Sequence, residues 1–92
     1  MDTVQKHLFL EGRVQGVGFR YFTRISAGNH DVKGWVKNLP DGRVEAVLQG
    51  DSESVEEMVK KMKSGPSAAR IKNVEVIDET PVEDFYTFEV RR

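Results

Sequence analysis

The 92 residues set the scale of one small domain, with 38% hydrophobic and 32% charged side chains and apolar content enough for a modest core. A formal net charge of −1 offers no global attraction to nucleic acid or to an acidic membrane surface. The absence of cysteine excludes a disulfide framework, a thiolate nucleophile and a sulfur-ligated metal site. No apolar run approaches the ~18 residues of a membrane-spanning helix. Met1-Asp2-Thr3-Val4-Gln5-Lys6 lacks the cationic start and apolar centre of a signal peptide, so a cytoplasmic location without a membrane partner is the default expectation.

Leu8-Phe9-Leu10 reads as a first strand. It leads through Gly12 and Arg13 into Val14-Gln15-Gly16-Val17-Gly18-Phe19-Arg20. Glycines at 16 and 18 allow positive φ and close approach of a ligand. Successive N–H groups running into a helix start converge on one point and favour an oxyanion. Arg20 adds a planar fork of donors suited to phosphate or carboxylate. The chemistry implied is anion capture without a metal. The segment is neither of the better-known phosphate loops. It ends Gly18-Phe19-Arg20 instead of Gly-Lys-Ser/Thr, and a dinucleotide fingerprint starting at Gly16 would need glycine where Tyr21 stands. Taken alone, the pattern reads first as a strand-to-helix turn.

A helix is expected from Phe19 to about Gly28, with Phe22 and Ile25 turned inward. Lys33 to Leu39 and Arg43 to Gln49 read as strands, and Pro40-Asp41-Gly42 between them makes a hairpin turn. In the second of these, Val44, Ala46 and Leu48 alternate with Glu45, Val47 and Gln49, which predicts one buried and one wetter face. Val55, Met58, Val59 and Met62 then follow helical spacing, which assigns the methionines to the core. Asp51 or Ser52 can cap this second helix, early glutamates and late lysines match its dipole, and Gly65-Pro66 stops it. Strands over Ile71 to Ile77 and Phe85 to Val90 complete the chain. The order β-α-β-β-α-β with a short extra C-terminal strand predicts an α+β, ferredoxin-like sandwich, with two helices on one face of an antiparallel sheet.

The remaining candidates have plain readings. His7 and His30 are far apart and have no metal-ligand partner at suitable spacing, so both read as ordinary strand or surface residues. Trp35 and the Phe85-Tyr86-Phe88 group read as packing residues. No Ser-His-Asp arrangement can be assembled from two such histidines. A ferredoxin-like RNA-binding module stacks bases on aromatics of its central strands, whereas Arg43-Val44-Glu45-Ala46-Val47-Leu48 contains none. A non-catalytic module that senses phosphate ligands is the other alternative.

A second segment raises the weight of the first loop. Gly34-Trp35-Val36-Lys37-Asn38-Leu39-Pro40-Asp41-Gly42-Arg43-Val44 is followed, six residues on, by Gly50. The chain resembles the acylphosphatase family through both of that family's signatures. Gly12, Val14-Gln15-Gly16-Val17, Phe19 and Arg20 match the first; Gly34-Trp35-Val36-Lys37-Asn38, Gly42, Val44 and Gly50 match the second. Gly65-Pro66 and Ala69-Arg70-Ile71 also fall where the family carries a Gly-Pro and a strand, so the resemblance spans nearly the whole chain.

The resemblance implies the same ferredoxin-like fold and hydrolysis of a carboxyl-phosphate anhydride. The substrate would be a small acyl phosphate such as an acetyl, carbamoyl or glycolytic bisphosphate species. Inorganic phosphate would be both product and competitive inhibitor, and no cofactor, metal or nucleic acid is implied. Arg20 and the amides of Gln15, Gly16, Val17, Gly18, Phe19 and Arg20 would bind phosphate, and Asn38 would orient the attacking water. A carboxamide suits that task because it donates and accepts hydrogen bonds but never charges. The pattern departs from the family at His30-Asp31, where leucine and glycine are usual. That change is expected to disturb core packing and the helix C-terminal cap. Related domains open larger hydrogenase-maturation proteins, and this short chain resembles the free-standing form.

Overall fold

The computed structural model describes residues 3–92; Met1 and Asp2, part of the signal-peptide reading, lie outside the described residues. The elements are β1 (Thr3–Arg13), α1 (Phe19–His30), β2 (Lys33–Asn38), β3 (Val44–Asp51), α2 (Ser52–Ser64), β4 (Arg70–Glu79) and β5 (Phe88–Arg91). They form a five-stranded sheet in the order β4-β1-β3-β2-β5. The first four strands pair antiparallel, as the ferredoxin-like expectation requires. The extra strand pairs parallel to β2, from Gly34 opposite Phe88 to Lys37 opposite Arg91, so the sheet is mixed. Strand direction has a consequence for the site. β1 and β2 both run antiparallel to β3, and β5 runs with β2, so Arg13, Asn38 and Arg91 finish at one end of the sheet.

The helix-facing side of the sheet holds the core. Leu8, Leu10, Val36, Val44, Ala46 and Leu48 are fully buried there and cluster with Val55, Met58 and Met62 of α2. Helix α1 buries a different stripe from the one expected. Phe19, Thr23, Ser26 and Ala27 face inward, whereas Ile25 is 47% exposed. Small residues at this spacing let α1 lie close, and the Thr23 hydroxyl is satisfied by donating to the Phe19 carbonyl at 2.8 Å. A search for large apolar residues misses such a stripe.

At the His30-Asp31 bend the helix is capped without glycine. α1 runs to His30, and Asp31 itself adopts the left-handed conformation, φ 55°, with its N–H on the Ala27 carbonyl. The Nδ1–H of His30 donates to the Ser26 carbonyl at 2.8 Å. Aspartate is among the few residues that visit this conformation, at a cost of about 1 kcal/mol.

The opposite face of the sheet is drier than alternation predicts, since Val47 and Gln49 are each only 4% exposed. The chain leaving β4 must pass below the sheet to reach β5, and Gln49 holds it there. Its Nε2 donates to the Glu83 carbonyl at 2.7 Å, and its Oε1 accepts from the Phe85 N–H at 3.0 Å. Tyr86, assigned to packing from sequence, points outward from this crossing and is exposed, while Phe88 packs against the core. Phe9 and Trp35 lie on this face under cations of the chain itself: Arg43 is 5.0 Å from the Phe9 ring, and Arg91 is 4.8 Å from that of Trp35.

His7 is the organising residue of this face and more than an ordinary strand position. It stacks on Phe9 and meets Trp35 edge-on. Its Nδ1 lies 2.8 Å from Glu79 Oε2 and its Nε2 2.6 Å from Glu45 Oε2. Burial pushes the imidazole pKa down, but hydrogen bonds and charge from Glu79 and Glu45 outweigh it, leaving the value above the ordinary 6.5. Glu79 is held below 4.5 by the Gln5 amide and then by His7. The contribution of His7 is therefore complete below pH 6.5 and lost as pH rises through its raised value; that of Glu79 is complete above pH 4.5 and lost on acidification. Urea midpoints measured from about pH 5 to about pH 9 should show a decline above pH 6.5 that is flattened in His7→Gln. An equal decline in both proteins would contradict this assignment.

Candidate active site

The loop between β1 and α1 is fixed at both ends by the core. Val14 before it and Phe19 after it are 1% and 2% exposed. Between them Gly16 and Gly18 take φ +72° and +76°, and Gly18 occupies the N-cap position of α1. An added Cβ would meet nothing within 4 Å at either glycine, so the backbone conformation, not space, is what calls for glycine. Such left-handed residues turn successive amides into a concavity at the helix start. Among the described residues, no backbone N–H from Gly16 to Arg20 bonds to a backbone carbonyl.

The Gln15 side chain joins this loop to the β2–β3 hairpin. Its Nε2 donates to the carbonyls of Leu39 at 2.8 Å and Arg43 at 2.9 Å. The hairpin is itself closed by Leu39 N–H on the Arg43 carbonyl at 2.8 Å and Gly42 N–H on the Leu39 carbonyl at 3.1 Å. Asp41 accepts from the Arg43 backbone at 3.1 Å and from its Nε at 2.8 Å, and these bonds hold its carboxyl below the usual range. Asn38 ends β2 opposite Val44, on the helix-facing side by alternation with buried Val36. That side is where α1 begins.

An open cleft of 790 Å³ lies at this end of the sheet, and Gly16, Gly18, Phe19, Arg20 and Asn38 all line it. Five positions chosen from sequence are thus brought together. Gln15 and Val17 do not line it: the Gln15 side chain is spent on the hairpin, and Val17 packs against the core. Phe19 is a core residue by its ring and contributes to the cleft as the first residue of α1. Arg20 Nη1 donates to the Arg91 carbonyl at 3.2 Å, so β5 orients the guanidinium and leaves most of its five donors for an anion. Sequence reasoning missed this contact because it depends on β5 running parallel to β2. Arg24 also lines the cleft, and its i+4 spacing from Arg20 was a legible signal. Among the described residues, no cluster of three or more His, Cys, Asp or Glu could hold a metal ion.

Gln15→Leu keeps the side chain's bulk but removes both bonds to the hairpin. The expected result is a fall in turnover of roughly 10²-fold, the scale set by misplacing catalytic groups by about 1 Å, with a stability loss of about 1–3 kcal/mol from two lost hydrogen bonds. Turnover and urea midpoint measured on one preparation check it. Lost stability with unchanged turnover would show that Gln15 serves the fold alone.

Comparison with known proteins agrees with this geometry. The family model described as Acylphosphatase matches residues 6–90. An acylphosphatase of Chloroflexus aurantiacus is 52% identical over 81 residues, covering 88% of each chain. One from Trichormus variabilis is 52% identical over 89 residues, 97% of this chain and 87% of that one. The crystal structure of acylphosphatase from Bacillus subtilis superposes with a TM-score of 0.93 at 34% identity, covering 97% of this chain and 99% of the other. With both signature segments converging on one cleft and similarity of this extent, the chain belongs to the acylphosphatase family.

Proposed function

We propose that residues 1–92 act as one catalytic domain that hydrolyses small acyl phosphates at the cleft between the Val14–Phe19 loop and the β2–β3 hairpin, without a metal. Hydrolysis of acyl phosphates is the activity of the family to which the chain belongs. The observation that carries the residue assignments is the convergence of Gly16, Gly18, Arg20 and Asn38 on a single cleft. The cytoplasm is the compartment this reading assigns to the chain.

The phosphoryl oxygens sit on the loop amides and the Arg20 fork, which neutralise charge that spreads over these oxygens in the transition state. The Asn38 carboxamide accepts a hydrogen bond from a water and holds it in line with the bond to be broken. Water oxygen attacks phosphorus, and the P–O bond to the acyl group breaks. The carboxylate leaves with the electron pair, and a phosphate oxygen takes the water proton. A carboxylate is a good leaving group, which is why a site without a general acid suffices. The same chemistry explains metal independence: amides and a guanidinium already supply the positive potential that a cation would otherwise bring.

Two variants separate binding from water positioning. Arg20→Lys retains charge but loses the fork, so affinity for substrate and for inorganic phosphate should both drop, with little activity left. Asn38→Ala should lower turnover by ~3 kcal/mol, about 10²-fold or more, while phosphate inhibition changes little. Activity assays in excess chelator, phosphate inhibition constants and melting temperatures check the set. Turnover of Asn38→Ala that falls only in step with stability and phosphate affinity would overturn its role, and loss of activity in chelator restored by magnesium would overturn the metal-free mechanism.

A further inference from the structure

We propose that Arg24 forms a second anion subsite in the cleft and selects acyl phosphates whose acyl chain ends in another anionic group, a carboxylate or a phosphate. The proposal rests on the reading of the cleft as the phosphoryl site. Arg24 follows Arg20 by four residues on α1, so the two share one face about 6 Å apart along the helix axis. Both line the cleft, together with Arg92, and no Asp or Glu lines it. The chain as a whole carries 14 cationic and 15 acidic side chains, so three arginine side chains around one cleft without an acidic side chain are a local concentration of charge.

Arg24 has no internal task and, unlike the equally unpaired Arg92, is held on a helix one turn from Arg20. Arg20 donates to the Arg91 carbonyl, Arg43 pairs with Asp41, and Arg91 pairs with Glu89. Arg24 lies exposed and has no side-chain hydrogen bond or ion pair with any described residue. Its guanidinium keeps all five donors. Two apolar side chains that are largely exposed, Tyr21 and Val90, line the same cleft and offer walls for a short acyl chain.

The reaction geometry sets the direction. With water held at Asn38, the leaving carboxylate must lie on the far side of phosphorus, and the acyl chain then continues away from Asn38. A chain of about four carbons spans roughly one helical turn, so a phosphoryl group on Arg20 brings a terminal anion to Arg24. A planar fork grips two oxygens of either a carboxylate or a phosphate. A neutral acyl tail leaves that fork unused.

The test uses the full chain, as wild type, Arg24→Gln and Arg24→Lys, with three substrates of matched length: butyryl phosphate, succinyl phosphate and 3-phosphonopropanoyl phosphate. In wild type, kcat/KM for one or both substrates with an anionic tail should exceed that for butyryl phosphate by roughly tenfold, a preference expected of a charge-assisted bidentate contact and weakened by added salt. Arg24→Gln should bring the ratio close to unity through KM, and Arg24→Lys should restore part of it. Preference for the succinyl compound alone assigns a carboxylate tail, and preference for the phosphono compound alone assigns a phosphate tail. A wild-type ratio near unity, or a preference that survives Arg24→Gln at unchanged melting temperature, overturns the subsite. Failure of wild type to hydrolyse any of the three substrates would instead overturn the phosphoryl-site reading and the subsite with it.

Discussion

The fixing of the Val14–Phe19 crossing governs the site. A loop of glycines has too many accessible conformations to present its amides to one point, and ordering it carries an entropic cost of about 1–2 kcal/mol per residue. Here that cost is met during folding. Val14 and Phe19 are buried at either end of the loop, and Gln15 is bonded to two carbonyls of the neighbouring hairpin. The amides between them are therefore held in place by the fold itself. On the proposed reading, dipoles preset in this way stabilise charge without reorganising during reaction.

The sheet supplies the second half of the arrangement. Three strands running the same way bring the loop after β1, Asn38 at the end of β2 and the Arg91 carbonyl at the end of β5 to one edge of the molecule. None of these three groups is near another in sequence. The parallel strand β5 thus serves the site, since its backbone orients Arg20. Its approach is secured at the far end, where Gln49 holds the β4–β5 crossing through the Glu83 carbonyl and the Phe85 N–H. The outer face, with His7 between Glu45 and Glu79, gives the sheet a second, partly polar core on the side that the helices leave open.

Element order, the stop of α2 and the two site segments were legible because their signals are local: glycines before a helix, a Pro-Asp-Gly turn, a regular apolar stripe on α2 and the Gly65-Pro66 after it, whereas α1 runs past the expected end near Gly28 to His30. The missed features arise from non-local pairing. Burial of Val47 and Gln49 requires a loop from beyond β4 to lie over them. Exposure of Ile25 follows from a small-residue stripe that hydrophobicity does not mark. The charge state of His7 is set by Glu45 and Glu79, residues that only the register of β1 with its two neighbours brings near. Gln15 was identified as a site position for its amide, whereas its side chain carries a structural bond that no spacing rule reveals. Asp31, which stands where the family pattern carries glycine, itself takes the left-handed conformation that glycine favours.

If the pre-set loop is the anion site, inorganic phosphate should find it without substrate, metal or partner. Titration of the nitrogen-15 labelled chain with inorganic phosphate, followed by two-dimensional amide spectra, reads this residue by residue. The largest saturable shifts should fall on the backbone N–H groups from Gly16 to Arg20, with His7 and Gln49 on the opposite face of the sheet unmoved. Saturable shifts centred elsewhere, or no saturable shift in the loop, would contradict the account.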